Sequence, residues 1–323
     1  MLKRFNINTQ ILILTVILIV LPFLFQNDFH FEIAILAILN AIICIGLNLL
    51  MGYAGQVSLG HGAFAGLGAY IAVILSANYD FTPIVSIFIA VIVMSVFAFF
   101  ISKPILKLKG HYLAMATLGI GIIINIVLNS EEEITGGADG MGVSEFSIFG
   151  FVFEESIHWY ILSAVILLII VWAFTNLIDS PFGRLLRSIH DSEKASMSVG
   201  VNVAHYKSYV FVISVVIATV AGSLYAFFSG YISPEEASFT HSIELVVMVV
   251  FGGLGRVYGA VIGAVILTVL PQLLTALEDY ETLVLGSIII FVMIFMPKGI
   301  VSVWDYFLSK KDKKDKEANL VKN

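Results

Sequence analysis

Stretches of mostly apolar residues recur down this chain at short intervals, and most are long enough to cross the hydrocarbon core of a bilayer, which takes about 20 residues of helix. They run approximately over 9–25, 33–51, 61–77, 83–102, 111–128, 158–178, 208–230, 241–254, 257–276 and 282–297. In lipid every backbone N–H and C=O must be bonded inside the protein, so continuous apolar runs of this kind read as helices. The expected fold is an all-α, polytopic transmembrane helical bundle of ten spans, with eight or nine as alternatives. The eighth stretch is short and reads as a broken or partial span followed by the GGLGR turn, Gly252 to Arg256. Charge agrees with this reading. Only 12% of the residues are charged, against about 25% in a soluble protein, too few for a water-compatible surface.

Basic residues set the orientation. Lys3 and Arg4 precede the first span, Lys103, Lys107 and Lys109 follow the fourth, and Arg184, Arg187, Lys194 and Lys207 lie between the sixth and seventh. Arg256 sits in the GGLGR turn, and the C-terminal end reads KKDKKDK. With ten spans and a cytoplasmic N-terminus, all of these fall on the cytoplasmic side. The acids Asp28, Glu32, Asp80, Glu131 to Glu133, Asp139, Glu154, Glu155, Glu235, Glu236, Glu278, Asp279 and Glu281 fall on the other. That asymmetry satisfies the positive-inside rule and places both termini in the cytoplasm. No small-residue cleavage site follows the first apolar stretch and a second arrives at once, so it is expected to remain as a helix. Residues 1–303 form the expected transmembrane domain, and 304–323 a Lys-rich cytoplasmic tail lying near anionic lipid. The longest outside segment, Asn129 to His158, is too short to bury a core of its own.

One polar segment stands out, SPFGRLLRSIHDSEKASMSVGVNVAHYK from Ser180 to Lys207. Ser180 to Gly183 reads as a turn, and Arg184 to His190 as a basic amphipathic helix. Asp191 or Ser192 can cap a second short helix, Glu193 to Val199, with Gly200 suited to its C-terminal cap. Ala195 and Val199 share one face of it, with Met197 and Val201 adding apolar bulk. Apolar tips on a short aqueous helix fit a helix-in-groove contact with a soluble partner. Lying on the lipid surface is the alternative.

Within the spans, GYAGQVSLGHGAFAGLGAY (Gly52 to Tyr70) places Gly60, Gly62, Ala65, Gly66 and Ala69 at three- and four-residue spacing. Small residues at that spacing allow close helix packing in lipid. An interruption at Gly52 to Gly60 would instead free backbone groups to line a cavity, with Gln56, Ser58 and His61 beside it. Asn40, Cys44 and Asn48 share one helix face, as do Thr117, Gly121 and Asn125. An asparagine in hydrocarbon needs a partner, which a neighbouring helix or a wet pathway could supply equally well. Glu244 reads either as an interfacial acid or as a carboxylate facing a cavity or capping the broken helix. Candidate pathway residues are therefore Asn40, Asn48, Gln56, Thr117, Asn125 and Glu244. Cys44 alone offers neither a disulfide nor a metal cluster. GGLGR lacks the strand and the G-K-[ST] of a phosphate loop, and no hydrolytic motif occurs, so no embedded enzyme and no nucleic-acid partner is expected.

These residues resemble a known family, the LivM-type membrane permeases of ABC importers for branched-chain amino acids. The resemblance is carried by GYAGQVSLGHGAFAGLGAY, KGHYLAMATLG (Lys109–Gly119), TGGADG (Thr135–Gly140), the Ser180–Lys207 segment and GYISPEEASFTHSIELVVMVVFGGLG (Gly230–Gly255). It implies a permease in a bacterial cytoplasmic membrane that pairs with a LivH-type permease, two cytosolic ATPases and an external binding protein. The ATP and magnesium are used by the ATPases, and no cofactor is expected on this chain. The family's coupling loop maps onto Glu193, Ala195 and Gly200, with Lys194 and Ser196 departing from its usual pattern. Arg184, Arg187, Met197 and Val199 complete the expected ATPase-coupling residues. The family has no portable substrate motif, so another amino acid or a urea-like amide remains an alternative cargo. A stand-alone secondary transporter is the rival reading, but it predicts intramembrane charge pairs that these spans almost lack.

Overall fold

The computed structural model describes residues 7–273 apart from Gln26, Lys109 and Phe149, together with 286–287, 290 and 299–300. Twelve α-helices occur among these residues. Helix α1 (Ile7–Val20) runs into a 3-10 turn at Leu21–Leu24, where Pro22 ends the regular helix. Helix α2 (Asp28–Asn48) continues through a π-turn, Leu49–Tyr53. Then follow α3 (His61–Tyr79), α4 (Pro83–Ile105), α5 (His111–Ser130) and the single turn α6 (Glu132–Thr135). Helix α7 (Ser156–Asp179) leads to α8 (Pro181–Asp191), α9 (Glu193–Ser198) and α10 (Val203–Ser229). A 3-10 turn, Pro234–Ala237, precedes the hairpin of α11 (Phe239–Gly252) and α12 (Val257–Leu273).

Six of these are long and apolar enough to cross a membrane: α2 with its π-turn, α3, α4, α5, α7 and α10. This is a multi-pass membrane protein. Nine of the ten apolar stretches are helices, three of them in shorter pieces, Gln10–Leu24, α11 and α12. The 14 residues of α11 reach about 21 Å at 1.5 Å each, short of the roughly 30 Å hydrocarbon core. The partial span expected there is present. The stretch 282–297 lies almost wholly outside the described residues, as do Lys3, Arg4, Lys109 and the tail 304–323.

The all-α expectation needs one amendment. The segment after α6 carries three two-residue strands, β1 (Met141–Gly142), β2 (Ser147–Ile148) and β3 (Phe151–Val152), and a fourth, β4 (Tyr231–Ile232), follows α10. β1 pairs antiparallel with β4, and β2 with β3. Phe146 is buried against Trp159, Phe153 and Phe227. The segment has no core of its own; it borrows one from the ends of α7 and α10.

Helices α2, α3 and α10 form the centre, where α2 is almost wholly buried from Ile35 to Tyr53. Close approach depends on residues without side chains. A Cβ on Gly222 of α10 would overlap the carbonyl oxygen of Ala65 in α3, and one on Gly68 would lie 2.6 Å from Thr219 Cγ2. With little hydrophobic drive between helices in lipid, such backbone proximity supplies the packing energy. Helix α4 shows the membrane pattern of mostly small residues inward and large ones outward. Ala90, Met94, Ala98 and Ser102 are buried on one face, while Phe88, Ile92, Val96 and Phe100 stand exposed on another.

Candidate functional site

The Ser180–Lys207 segment folds as a braced two-helix unit. Pro181 fits the first turn of α8, where its missing N–H would have no partner, and the Gly183 N–H donates to Ser180 Oγ at 3.4 Å. Leu186 and Ile189 turn inward and the charged residues outward, as an amphipathic helix at an interface requires. Arg184 and Arg187 donate to the carbonyls of Asp179 (3.1 Å) and Ile178 (3.0 Å) at the end of α7. These guanidinium groups satisfy orphan carbonyls and oppose the negative helix end, fixing α8 on α7. Both lie in the expected coupling unit, as struts.

In α9, the Ala195 N–H donates to the Ser192 side chain at 3.3 Å, making Ser192 the cap. At the other end, the N–H groups of Gly200 and Val201 donate to the carbonyls of Met197 and Ser196. Gly200 holds φ +86°, a left-handed conformation that glycine adopts without strain. A Ser188–Ser196 hydroxyl pair at 3.0 Å ties α9 to α8, and Lys207 Nζ donates to Glu193 Oε1 at 2.5 Å, tying it to α10. Ala195, Met197 and Val199 are left exposed, Val199 at 78%. All seven expected coupling residues therefore meet in one braced element, which exposes the apolar Ala195, Met197 and Val199 beside the polar Lys194 and Ser198.

The interruption expected at Gly52 to Gly60 is real, covering Ala54–Gly60 between the π-turn and α3. It is packed rather than open. The ring of His190 in α8 lies against Gly55, whose Cβ would stand 3.1 Å from it. The Leu59 N–H donates to Thr117 Oγ1 at 3.0 Å. His61 is fully buried, with Ser58 Oγ at 2.8 Å from Nδ1 and Ser214 Oγ at 2.6 Å from Nε2. The histidine is thus a core connector between α3 and α10, not an interfacial group. Gln56 is buried with neither amide atom bonded among the described residues.

The polar stripes separate into two kinds. Asn48 Nδ2 donates to the Arg256 carbonyl at 2.7 Å, and the Gly255 N–H donates back to Oδ1 at 2.9 Å. That side chain clamps the GGLGR turn onto the end of α2. Asn125 donates to the Pro234 carbonyl at 2.7 Å, holding the Pro234–Ala237 turn. Thr117 is buried at Leu59. These three bind backbone. Asn40 differs: it donates to Thr268 Oγ1 of α12 at 3.1 Å and lines a cavity.

That cavity, of about 210 Å³, is walled by α2, α3, α10, the Pro234–Ala237 turn, α11 and α12. Its polar lining is Asn40, Tyr225, Glu236, His241 and Thr268. Tyr225 hydrogen-bonds the Glu236 carboxyl. Burial raises the Glu236 pKa above the ordinary carboxylate value; the Tyr225 bond opposes this, and Glu235 adds to it. A wider outer cavity of about 680 Å³, edged by Glu32, Glu145 and Glu154, shares Leu36 and Tyr225 with the inner one. Glu244 is over half exposed, 3.9 Å from His241 Nδ1, beside the cavity and not among its walls. Sequence reasoning missed Tyr225, Glu236, His241 and Thr268. Glu236 alone carried a signal, as an acid in the turn-forming SPEEAS run that precedes a short helix.

Residues 29–293 match the family model described as branched-chain amino acid transport system, permease component. The chain is 30% identical over 312 residues to the high-affinity branched-chain amino acid transport permease LivM of Salmonella typhimurium, covering 89% of this chain and 73% of that protein. The Escherichia coli K12 LivM matches to the same extent. A second permease, LivH of Salmonella typhimurium, is 25% identical over 81% of this chain and 90% of its own. No solved structure matches. The family match spans most of the chain and agrees with a multi-pass bundle bearing a braced aqueous loop: the chain belongs to the branched-chain amino acid transport permease family.

Proposed function

We propose that this chain is one permease subunit of an ATP-driven importer in the bacterial cytoplasmic membrane, passing leucine, isoleucine and valine inward. It pairs with a LivH-type permease, receives solute from an external binding protein, and is moved by two cytosolic ATPases. Residues 1–303 are the permease, with both termini cytoplasmic, and 304–323 a basic tail. ATP and magnesium are handled by the ATPases; this chain contributes motion and a path.

The observation that carries this reading is the set of exposed apolar side chains at α9, Ala195 and Met197 in the helix and Val199 at its end, on a helix capped at both ends and pinned to α8 and α10. Exposed apolar side chains on a stiffly mounted aqueous helix suit a groove in a partner. Movement of that partner would be transmitted as a rigid-body shift. Arg184 and Arg187 link the unit to α7, Lys207 links it to α10, and His190 touches the α2–α3 interruption. Pulling α9 would thus displace the two long helices flanking the loop together. Among the sequence-proposed pathway residues, Asn40 keeps that role, because its amide lines the inner cavity.

The test is Ala195→Arg with Val199→Arg. The ATPases are expected to be lost from the purified complex while the LivH-type partner stays bound. An intact complex that still transports overturns the docking role.

A further inference from the structure

We propose that the inner cavity is a binding site for a small aliphatic amino acid, with the Glu236 carboxylate as the charge partner of the solute's ammonium group. The proposal rests on the transport reading and adds the site at which solute pauses inside this one chain.

Among the described residues no lysine or arginine lines the cavity, and Glu236 and His241 are its ionisable walls apart from the Tyr225 phenol. A carboxylate offers about four acceptor positions. Tyr225 occupies one of those on Glu236, and among the described residues no cation contributes to its environment. A carboxyl partly withdrawn from water, with one phenol as its donor, is incompletely compensated. An ammonium ion entering the cavity supplies the missing opposite charge. Elsewhere in the same cavity, Asn40 donates one amide hydrogen to Thr268 Oγ1. Its second amide hydrogen and the Thr268 hydroxyl remain as donors for the solute's carboxylate. Leu36, Leu39 and Ile43 of α2, with Ala65 and Ala69 of α3, make the remaining wall aliphatic. An ammonium acceptor, carboxylate donors and a hydrocarbon wall together describe an α-amino acid with an aliphatic side chain.

Access agrees. The outer cavity bears three carboxylates and meets the inner one at Leu36 and Tyr225. The phenol that bonds Glu236 is thus also part of the partition that a solute arriving from outside must pass.

The experiment is equilibrium binding of radiolabelled L-leucine to the detergent-purified complex without its external binding protein, alongside leucine uptake in cells. Leucine should bind, 3-methylbutylamine should compete, and 4-methylpentanoate, which lacks the ammonium, should compete far less. Glu236→Gln should weaken binding by about tenfold or more, as loss of a charge-assisted bond does. Glu236→Asp should keep part of it, and Thr268→Val, a second variant, should weaken it as well. Retention of the partner permease reports that each variant has folded. Equal leucine affinity in wild type and Glu236→Gln overturns the assignment of the carboxylate. Normal uptake with no leucine binding to the wild-type complex overturns the cavity as a site and leaves the transport reading standing. Uptake that persists when this chain is deleted removes the transport reading, whatever the cavity binds.

Discussion

The Lys207 ammonium lies 2.5 Å from a Glu193 carboxylate oxygen, with the lysine side chain 8% exposed and the glutamate 29%. Breaking such a pair strands a charge that is almost buried, so its cost exceeds that of a surface ion pair. Glu193→Ala should loosen α9 by about 1–3 kcal/mol, since one partner still reaches water. Limited proteolysis between α8 and α10 should then proceed several-fold faster, and the reversed pair Glu193→Lys with Lys207→Glu should recover part of the protection. Cleavage at the wild-type rate would show that the pair is not what fixes α9.

Two glycines should respond with opposite signs. A side chain on Gly222 overlaps the Ala65 carbonyl, whereas a Cβ on Gly119 of α5 meets nothing within 4 Å. Gly222→Val should cost about 3 kcal/mol or more through overpacking. Gly119→Ala should be neutral or gain up to about 1 kcal/mol of helix propensity. Thermal unfolding in detergent compares them, and a Gly222→Val protein as stable as wild type contradicts the α3–α10 packing.

The two asparagines on one face of α2 should separate by phenotype. Asn48 serves the turn backbone at Gly255 and Arg256, so Asn48→Ala should lower membrane yield and melting temperature. Asn40 bonds a side chain at the edge of a cavity, so Asn40→Ala should leave yield intact and reduce leucine uptake. Identical effects from both would dissolve the distinction drawn between them.

Burial holds the Glu236 proton more tightly in the native protein than in the unfolded chain. A carboxyl with a raised native pKa has no effect on stability below its unfolded pKa. It destabilises progressively as pH rises from there through the native value, because the unfolded state is then the more readily ionised. Melting temperature should therefore fall over that window, and Glu236→Gln should flatten the fall. Superimposable pH curves for the two proteins would assign the slope to other groups.

Much of this was legible in the chain because membranes restrict the choices. Apolar length located nine of the helices, and local chemistry marked the ends of α9, since Ser192 and Gly200 act within three residues of their partners. What stayed hidden depends on contacts distant in sequence. Asn48 meets Arg256 and Asn125 meets Pro234, each more than a hundred residues away, so periodicity showed a polar face without showing what faced it. The inner cavity was hidden for the same reason: Asn40, Tyr225, Glu236, His241 and Thr268 come from α2, α10, the Pro234–Ala237 turn, α11 and α12. The acids of the Pro234–Ala237 turn counted in the sequence only towards the charge asymmetry, until the fold brought Glu236 against Tyr225.

The most direct measurement is leucine accumulation by sealed vesicles containing the permease pair and its ATPases, supplied with leucine-loaded binding protein. Uphill accumulation is expected only with ATP on the α9 side, and it should disappear with Ala195→Arg and Val199→Arg while the permease pair stays assembled. Accumulation that proceeds without nucleotide, or that ignores those two arginines, contradicts the account.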